Sequence, residues 1–142
     1  PGVSDLDLLT AQLGRLRFVH LHRVDVVAQA VSWARSLQTH FWHPGEAMVP
    51  GGGEPRYDGE LIGDLVARIE ALEAGWAAWF ADQGIVSYDV TYEQLAADPT
   101  GTAAEILSWL GLLLPPGREL TTTHERQADH LNEEWIHIYR SR

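Results

Sequence analysis

Residues 18–25 read FVHLHRVD and lead directly into VVAQAVSWARSLQT at residues 26–39. The first segment is short and mostly apolar, which predicts a strand covered on both faces. The second repeats its apolar residues at helical spacing behind Asp25, a residue type that caps helices well. Arg23 would lie where the strand turns into the helix. Helix starts favour negative charge and a guanidinium can grip a phosphate through a fork of donors, so we expect an anionic cofactor at this turn.

The rest of the chain adds further helices and one more strand. Such an alternation predicts a parallel sheet with crossover helices. We expect one domain over residues 1–142 of class α/β, a helix-rich, partial three-layer α/β/α fold with a small parallel sheet. Two strands are too few for a parallel sheet to stand alone, which indicates that part of the fold is missing. The expected elements are a helix over Asp5–Leu13, a strand over Leu16–Leu21, a helix from Asp25 to about His40, a loop over His43–Tyr57, a helix from about Asp58 to Ala81, a strand over Ile85–Val90, a turn or short helix over Thr91–Ala96, a helix over Pro99–Leu110 and a helix from about Ala128 to Tyr139.

The composition describes an acidic chain without cysteine or lysine. Its formal net charge of −10 repels nucleic acid, because the arginines are scattered rather than gathered in a stripe. The lack of cysteine excludes disulfides, thiolate catalysis and cysteine-based zinc sites. No apolar run approaches the roughly 20 residues that cross a bilayer, and no basic-then-apolar leader opens the chain. We expect a cytoplasmic protein with neither nucleic-acid nor membrane partners.

The histidines raise the question of a metal site. His20 and His22 alternate on one face of the expected strand, and His40 and His43 follow it. A metal site needs three or four converging ligands, and no His-Glu-x-x-His arrangement or carboxylate at matching spacing occurs. We therefore predict no metal, and a core role for His20 with its ring nitrogen satisfied.

A series of short motifs runs along the chain in a fixed order. Their order and spacing resemble those of the bacterial trehalose 2-sulfotransferase family, within the sulfotransferase superfamily, over about residues 17–140. The matching residues are Arg23, Asp25, Gln29-Ala30-Val31-Ser32, Gln38-Thr39, Trp42, Tyr57-Asp58, Trp76, Trp79-Phe80, Thr91-Tyr92-Glu93-Gln94-Leu95, Asp98-Pro99, Leu110-Gly111-Leu112, Arg126-Gln127-Ala128-Asp129 and Trp135.

The resemblance implies a sulfotransferase-like (P-loop-like) fold and transfer of a sulfuryl group from 3′-phosphoadenosine-5′-phosphosulfate (PAPS) to a hydroxyl of a carbohydrate such as trehalose. Arg23 and Ser32 match residues that hold the 3′-phosphate of the cofactor. Tyr92 matches a tyrosine beside the adenine, and Arg126 is a candidate for a second cation at the phosphate. All four are thus predicted cofactor-binding residues.

For the acceptor, the resemblance points to the end of the second expected helix. Gln38, Thr39 and Trp42 lie where the family meets its sugar. No catalytic residue is assigned, because the resemblance places the base, like the loop that grips the 5′-phosphosulfate, in an N-terminal part that does not occur before Leu16. We expect this chain to be the C-terminal portion of such a fold, or a shortened homologue of it, supplying the 3′-phosphoadenosine-binding half. The resemblance is compatible with a homodimer.

Several alternatives remain open at this point. Arg23 could form a surface ion pair with Asp25, Ser32 could hydrogen-bond back to its own helix, and Tyr92 could pack in the core. The whole chain could be a non-catalytic remnant that serves packing or dimerisation. A P-loop nucleotide kinase is disfavoured because the chain has no Gly-x-x-x-x-Gly-Lys, and a hydrolase because it has no Gly-x-Ser-x-Gly.

Overall fold

The computed structural model describes residues 5–40, 53–122 and 130–142. Two of the predicted site residues, Trp42 and Arg126, lie outside the described residues, as does most of the predicted loop over His43–Tyr57. The elements in chain order are α1 (Asp5–Leu13), β1 (Val19–His22), α2 (Val26–Thr39), α3 (Gly59–Asp82), β2 (Tyr88–Thr91), α4 (Tyr92–Ala97), α5 (Pro99–Leu110) and α6 (His130–Arg140).

The chain divides into two compact units. The sheet unit comprises Pro1–Val24 and Gly75–Arg126, and the helical unit comprises Asp25–Ala74 and Gln127–Arg142. The long helix α3 begins in the helical unit and ends in the sheet unit. A single domain over residues 1–142 stays a prediction.

The sheet unit contains the parallel strand pair expected from the sequence. Val19 is the partner of Tyr88 at one end of the pair, and His22 is the partner of Thr91 at the other. Because the register ends at His22 and Thr91, the residues that follow, Arg23 and Tyr92, leave the same edge of the sheet. A helix-rich structure with a small parallel sheet is thus confirmed, and it is compatible with the predicted α/β class.

Strand β1 is not covered on both faces, so that prediction is wrong. Val19 is 38% exposed and Leu21 is 52% exposed, whereas His20 and His22, on the opposite face, are partly buried. The reason is that the aromatic end of α3 packs against the histidine face, with the His20 and Phe80 ring centroids 5.5 Å apart. Apolar composition alone does not say which face of a strand a helix will cover.

The helical unit is held by an apolar core between three helices. The apolar residues of α2 keep their helical spacing behind Asp25, and α2 packs against α6. Along α3, Leu72 and Trp76 lie outside this core and are about half exposed. The buried residues of this core are Ala30, Val31, Ala34, Ile62, Leu65, Ile69 and Trp135.

Helix ends follow the capping residues in the sequence. Asp25 is the N-cap of α2 and its side chain accepts a hydrogen bond from the Ala28 N–H at 3.0 Å. Gly111 closes α5 in the left-handed conformation, with φ of 72°, where a side chain would be strained. The cap at Asp25 is as predicted. Among the helices of the described ranges, none combines the length and the apolar character that a bilayer span requires.

Candidate functional site

The ends of β1 and β2 bring Arg23 and Tyr92 together. The guanidinium carbon of Arg23 lies 4.4 Å from the centroid of the Tyr92 ring. At this distance the cation is attracted to the negative face of the ring, and the ring restrains a long, flexible side chain. Both residues therefore lie at one edge of the sheet, while their roles in binding stay predictions.

Glu93 completes this cluster. Its Oε1 lies 3.7 Å from the Nε of Arg23, and its Oε2 accepts a hydrogen bond from the Val24 N–H at 3.1 Å. The Arg23 side chain is 26% exposed, and its Nε is buried without a hydrogen-bond partner among the described residues. Arg23 thus has Glu93, rather than Asp25, as its described ion-pair partner.

The local sequence explains why Tyr92 and Glu93 face this turn. Thr91 is the N-cap of α4 and forms a capping box with Gln94. The Thr91 hydroxyl accepts from the Gln94 N–H at 3.1 Å, and the Gln94 side-chain oxygen accepts from the Thr91 N–H at 2.9 Å. These reciprocal bonds start a helix directly after β2, which fixes Tyr92 and Glu93 in its first turn.

The N-terminus of α2, in the helical unit, already holds a carboxylate and a cation. The Asp25 Oδ1 that caps the helix also accepts a hydrogen bond from the Arg140 Nη2 at 2.7 Å. The cation neutralises the charge that the cap places at the helix start. Sequence reasoning missed Arg140, since 115 residues separate it from Asp25 and only the packing of α6 on α2 brings them together.

The three remaining described candidates, Ser32, Gln38 and Thr39, lie on α2. The Ser32 side chain is partly buried, and the Ser32 backbone carbonyl accepts from the Ser36 hydroxyl at 3.1 Å. The Thr39 hydroxyl donates to the Arg35 carbonyl at 2.9 Å. Thr39 therefore makes a bond back to its own helix of the kind considered for Ser32. Roles of these residues at a cofactor or acceptor stay predictions.

Gln38 has a structural role that the sequence did not reveal. Its side-chain oxygen accepts from the Arg56 N–H at 2.7 Å, and its side-chain nitrogen donates to the Arg56 carbonyl at 3.0 Å. The Gly53 N–H also donates to the Gln38 carbonyl at 3.2 Å. One amide side chain thus ties the end of α2 to the segment that leads into α3.

Next to Gln38 lies an open cavity of about 600 Å³. The Arg142 guanidinium lies over the Tyr57 ring at 5.2 Å and near the Tyr139 ring at 5.8 Å. A Cβ added at Gly59 would overlap this guanidinium, which is the far end of a flexible side chain and would have to shift. Sequence reasoning missed Arg142. The cavity is lined by Gln38, Glu54, Arg56, Tyr57, Asp58, Gly59, Glu60, Leu61 and Arg142.

A second cavity, of about 310 Å³, lies in the sheet unit beside β2. The Tyr88 hydroxyl donates to the Glu105 carboxylate at 3.2 Å. Partial burial, together with the hydrogen bond to Glu105 and the charge of that carboxylate, raises the pKa of Tyr88 above 10.0. Several carboxylates line this cavity, which therefore does not suit an anion.

The histidine face of β1 was considered for a metal. The His20 Nδ1 lies 3.4 Å from the Asp89 Oδ1, and the His20 and His22 rings stack with centroids 5.1 Å apart. Within residues 5–40, 53–122 and 130–142, no three histidine, cysteine, aspartate or glutamate side chains converge as metal ligands would. The Asp89 carboxylate thus lies beside one ring nitrogen of the partly buried His20, and the core role expected for His20 stays a prediction.

Comparison with known proteins gives a family for this chain. The profile of the family described as Stf0 sulphotransferase matches residues 1–142. A trehalose 2-sulfotransferase of Mycobacterium tuberculosis (strain ATCC 35801 / TMC 107 / Erdman) is 36% identical over 126 residues, which is 87% of this chain and 45% of that protein. A trehalose 2-sulfotransferase of Mycolicibacterium smegmatis (strain ATCC 700084 / mc(2)155) is 34% identical over 122 residues, or 86% of this chain and 45% of that protein.

The chain thus spans less than half the length of the curated relatives it matches, and the matched part is their C-terminal portion. The match runs through the turn after β1 and the capping box after β2, which are the segments that form the Arg23 cluster. The resemblance inferred from the motif order is confirmed: this chain belongs to the Stf0 sulphotransferase family.

Proposed function

We propose that this chain is the nucleotide-binding part of a sulfotransferase that moves a sulfuryl group from PAPS to a carbohydrate hydroxyl, with a trehalose-like acceptor. The observation that carries the proposal is the Arg23 guanidinium held against Tyr92 at the carboxyl end of a parallel strand pair. Ligands of open α/β sheets bind at this edge. Because the chain has a formal net charge of −10, an anionic cofactor needs a cation at its binding site to offset the repulsion.

The described residues fit the 3′-phosphoadenosine end of PAPS. Arg23 supplies charged N–H donors, and its buried Nε without a hydrogen-bond partner means that its donors are not all used within the described fold. Tyr92 is exposed and offers an aromatic surface beside the guanidinium. Arg23 would hold the 3′-phosphate and Tyr92 would flank the adenine. Ser32 and Arg126 remain proposed partners of the same phosphate.

Bound PAPS would supply the activated sulfuryl group and a nucleotide leaving group. Sulfuryl transfer depends on alignment and on stabilising the charge that the leaving group gains. Arg23 would contribute by fixing the nucleotide at its 3′-phosphate, away from the reacting sulfur. We propose no catalytic base from this chain. We further propose that the complete fold has the three-layer α/β/α, P-loop-like arrangement.

The acceptor is proposed from the relatives, both of which are trehalose 2-sulfotransferases. Gln38, Thr39 and Trp42 are the proposed contacts with the sugar. A homodimer in the cytoplasm remains our expectation, and light scattering of the purified chain tests the dimer.

Titration with 3′-phosphoadenosine-5′-phosphate, the product of PAPS, tests the cofactor assignment. Arg23→Ala should weaken binding by about 1.5–3 kcal/mol, the range for a hydrogen bond to a charged group. Arg118→Ala removes an equal charge from an exposed position of the sheet unit and serves as the matched control. Equal binding by wild type and Arg23→Ala, or no binding by either, would refute the assignment.

One observation favours a second candidate, a non-catalytic packing or dimerisation module. The apolar face of β1 is exposed at Val19 and Leu21, and such a face is an interaction surface by default. A turnover assay with PAPS and trehalose separates the candidates, because sulfation of trehalose by the isolated chain would refute the non-catalytic alternative.

A further inference from the structure

We propose that Glu93 is a positioning residue, which fixes the Arg23 guanidinium in the orientation that receives the 3′-phosphate. This inference rests on the proposed function, because that function gives Arg23 its ligand. Glu93 itself would not contact the nucleotide. It would act through Arg23 and through the backbone of the turn after β1.

The two oxygens of one carboxylate reach two different parts of that turn. Oε2 accepts a hydrogen bond from the Val24 N–H at 3.1 Å, and Oε1 lies 3.7 Å from the Arg23 Nε. Glu93 is 69 residues away from Val24 in sequence. A side chain in the first turn of α4 therefore ties together the turns that follow the two paired strands.

The second step concerns which nitrogen of the Arg23 guanidinium Glu93 contacts. Arginine carries one N–H donor on Nε and the remaining donors on the two Nη atoms. Glu93 is paired with Nε, the end of the group that a fork-shaped contact to phosphate through both Nη atoms does not need. Tyr92 restrains the flat face of the same group. A guanidinium ordered before the ligand arrives loses less freedom on binding.

The third step concerns charge, which indicates that Glu93 acts by orienting Arg23 and not by attracting the phosphate. The carboxylate repels a phosphate, so it cannot attract the ligand. The Arg23 and Glu93 side chains are 26% and 41% exposed, and ion pairs this accessible to water contribute little by themselves. The hydrogen bond to Val24 is then the contact that holds the carboxylate in place. Glutamine can still accept that bond, whereas alanine cannot.

Calorimetric titration of the full 142-residue chain with 3′-phosphoadenosine-5′-phosphate tests the inference. Glu93→Ala should raise Kd about tenfold, whereas Glu93→Gln should give an intermediate Kd, since its one side-chain oxygen can accept from Val24 but its NH2 group would then face the Arg23 Nε–H. In an Arg23→Ala background, Glu93→Ala should change Kd by less than about twofold because the guanidinium that Glu93 positions is absent.

Three outcomes would overturn the positioning role. The first is a Glu93→Ala Kd equal to that of wild type. The second is an equal loss in the wild-type and Arg23→Ala backgrounds, which would show a general structural effect. The third is a Glu93→Gln Kd as high as that of Glu93→Ala, which would show that the hydrogen bond to the Val24 N–H does not hold the turn in place. Glu70→Ala, at an exposed position of α3, is the control for lost charge.

A measurement without ligand separates this inference from the proposed function. In ¹H–¹⁵N spectra of wild type, the Arg23 Nε–H should give a shifted, slowly exchanging signal, because Nε is buried and lies 3.7 Å from the Glu93 Oε1. The signal should move in Glu93→Gln, whose NH2 group would face the Nε–H when its oxygen accepts from Val24, and vanish in Glu93→Ala. If wild type binds no nucleotide, the proposed function fails, and this signal alone then tests whether Glu93 orients Arg23. An unchanged signal in Glu93→Ala would overturn the inference.

Discussion

Arg23 and Tyr92 follow the ends of two paired parallel strands, and the guanidinium carbon of one lies 4.4 Å from the ring centroid of the other. The register sets this relationship, since His22 and Thr91 are partners and the chain turns immediately after both. A shift of one residue in the pairing would move one side chain to the opposite face of the sheet. The cluster therefore depends on the strand pairing as much as on the two side chains.

Substitutions at Tyr92 should separate the role of the ring from that of the hydroxyl. Tyr92→Leu removes the aromatic face and should weaken binding of 3′-phosphoadenosine-5′-phosphate by about 0.5–1 kcal/mol, the strength of an exposed cation–π contact. Tyr92→Phe keeps the ring and should bind like wild type. Calorimetry measures both, and an equal loss in the two variants would contradict a role for the ring.

Removing the Gln38 side chain should destabilise the helical unit. Gln38→Ala deletes two hydrogen bonds to the Arg56 backbone and should lower the free energy of unfolding by about 1–2 kcal/mol. Gln38→Glu keeps the acceptor for the Arg56 N–H but faces the Arg56 carbonyl with a second acceptor, so an intermediate loss is expected. Urea denaturation followed by circular dichroism gives both values; an alanine variant as stable as wild type would show that this tie is energetically neutral.

Asp25 should contribute more to folding stability as the N-cap of α2 than through its ion pair with Arg140. Asp25→Ala removes the N-cap and should cost about 1 kcal/mol or more of folding stability. Arg140→Ala removes an ion pair from an exposed side chain and should cost less than about 1 kcal/mol. Thermal unfolding of the two variants ranks the contacts. A larger loss in Arg140→Ala than in Asp25→Ala would reverse this assignment.

The pKa of Tyr88 gives a prediction at high pH. Partial burial and Glu105 raise this pKa above 10.0 in the folded chain. The folded state therefore keeps a proton that the unfolded state releases first, so the stabilisation is complete below pH 10 and is lost as pH rises through the folded pKa. Spectrophotometric titration should show one tyrosine that deprotonates at unusually high pH, and this titration step should be absent in Tyr88→Phe. In Glu105→Gln that tyrosine should titrate earlier, and an unchanged titration would contradict the role of Glu105.

Local signals in the sequence predicted the order of the elements and the cap of α2. Asp25 caps a helix that begins beside it in the sequence, so its effect can be inferred from its neighbours alone. The location of Arg23 and Tyr92 at one sheet edge could also be predicted, because parallel strands turn at the same side.

Contacts that depend on packing between distant segments could not be predicted. The exposed face of β1, the pairing of Asp25 with Arg140 and the bonds from Gln38 to Arg56 each join elements whose relative position no short pattern encodes. Glu93 shows that the same holds within a motif. The sequence places Glu93 next to Tyr92, but its contact with the Val24 N–H depends on the register of the sheet and could not be predicted.

The most direct test of the account compares two ligands that differ by one phosphate. Wild type should bind 3′-phosphoadenosine-5′-phosphate at least about tenfold more tightly than adenosine 5′-phosphate, because we propose that Arg23 holds the 3′-phosphate. Arg23→Ala should bind the two ligands with nearly equal Kd, while Arg118→Ala should keep the preference. A preference that survives intact in Arg23→Ala would contradict the claim that this guanidinium holds the nucleotide.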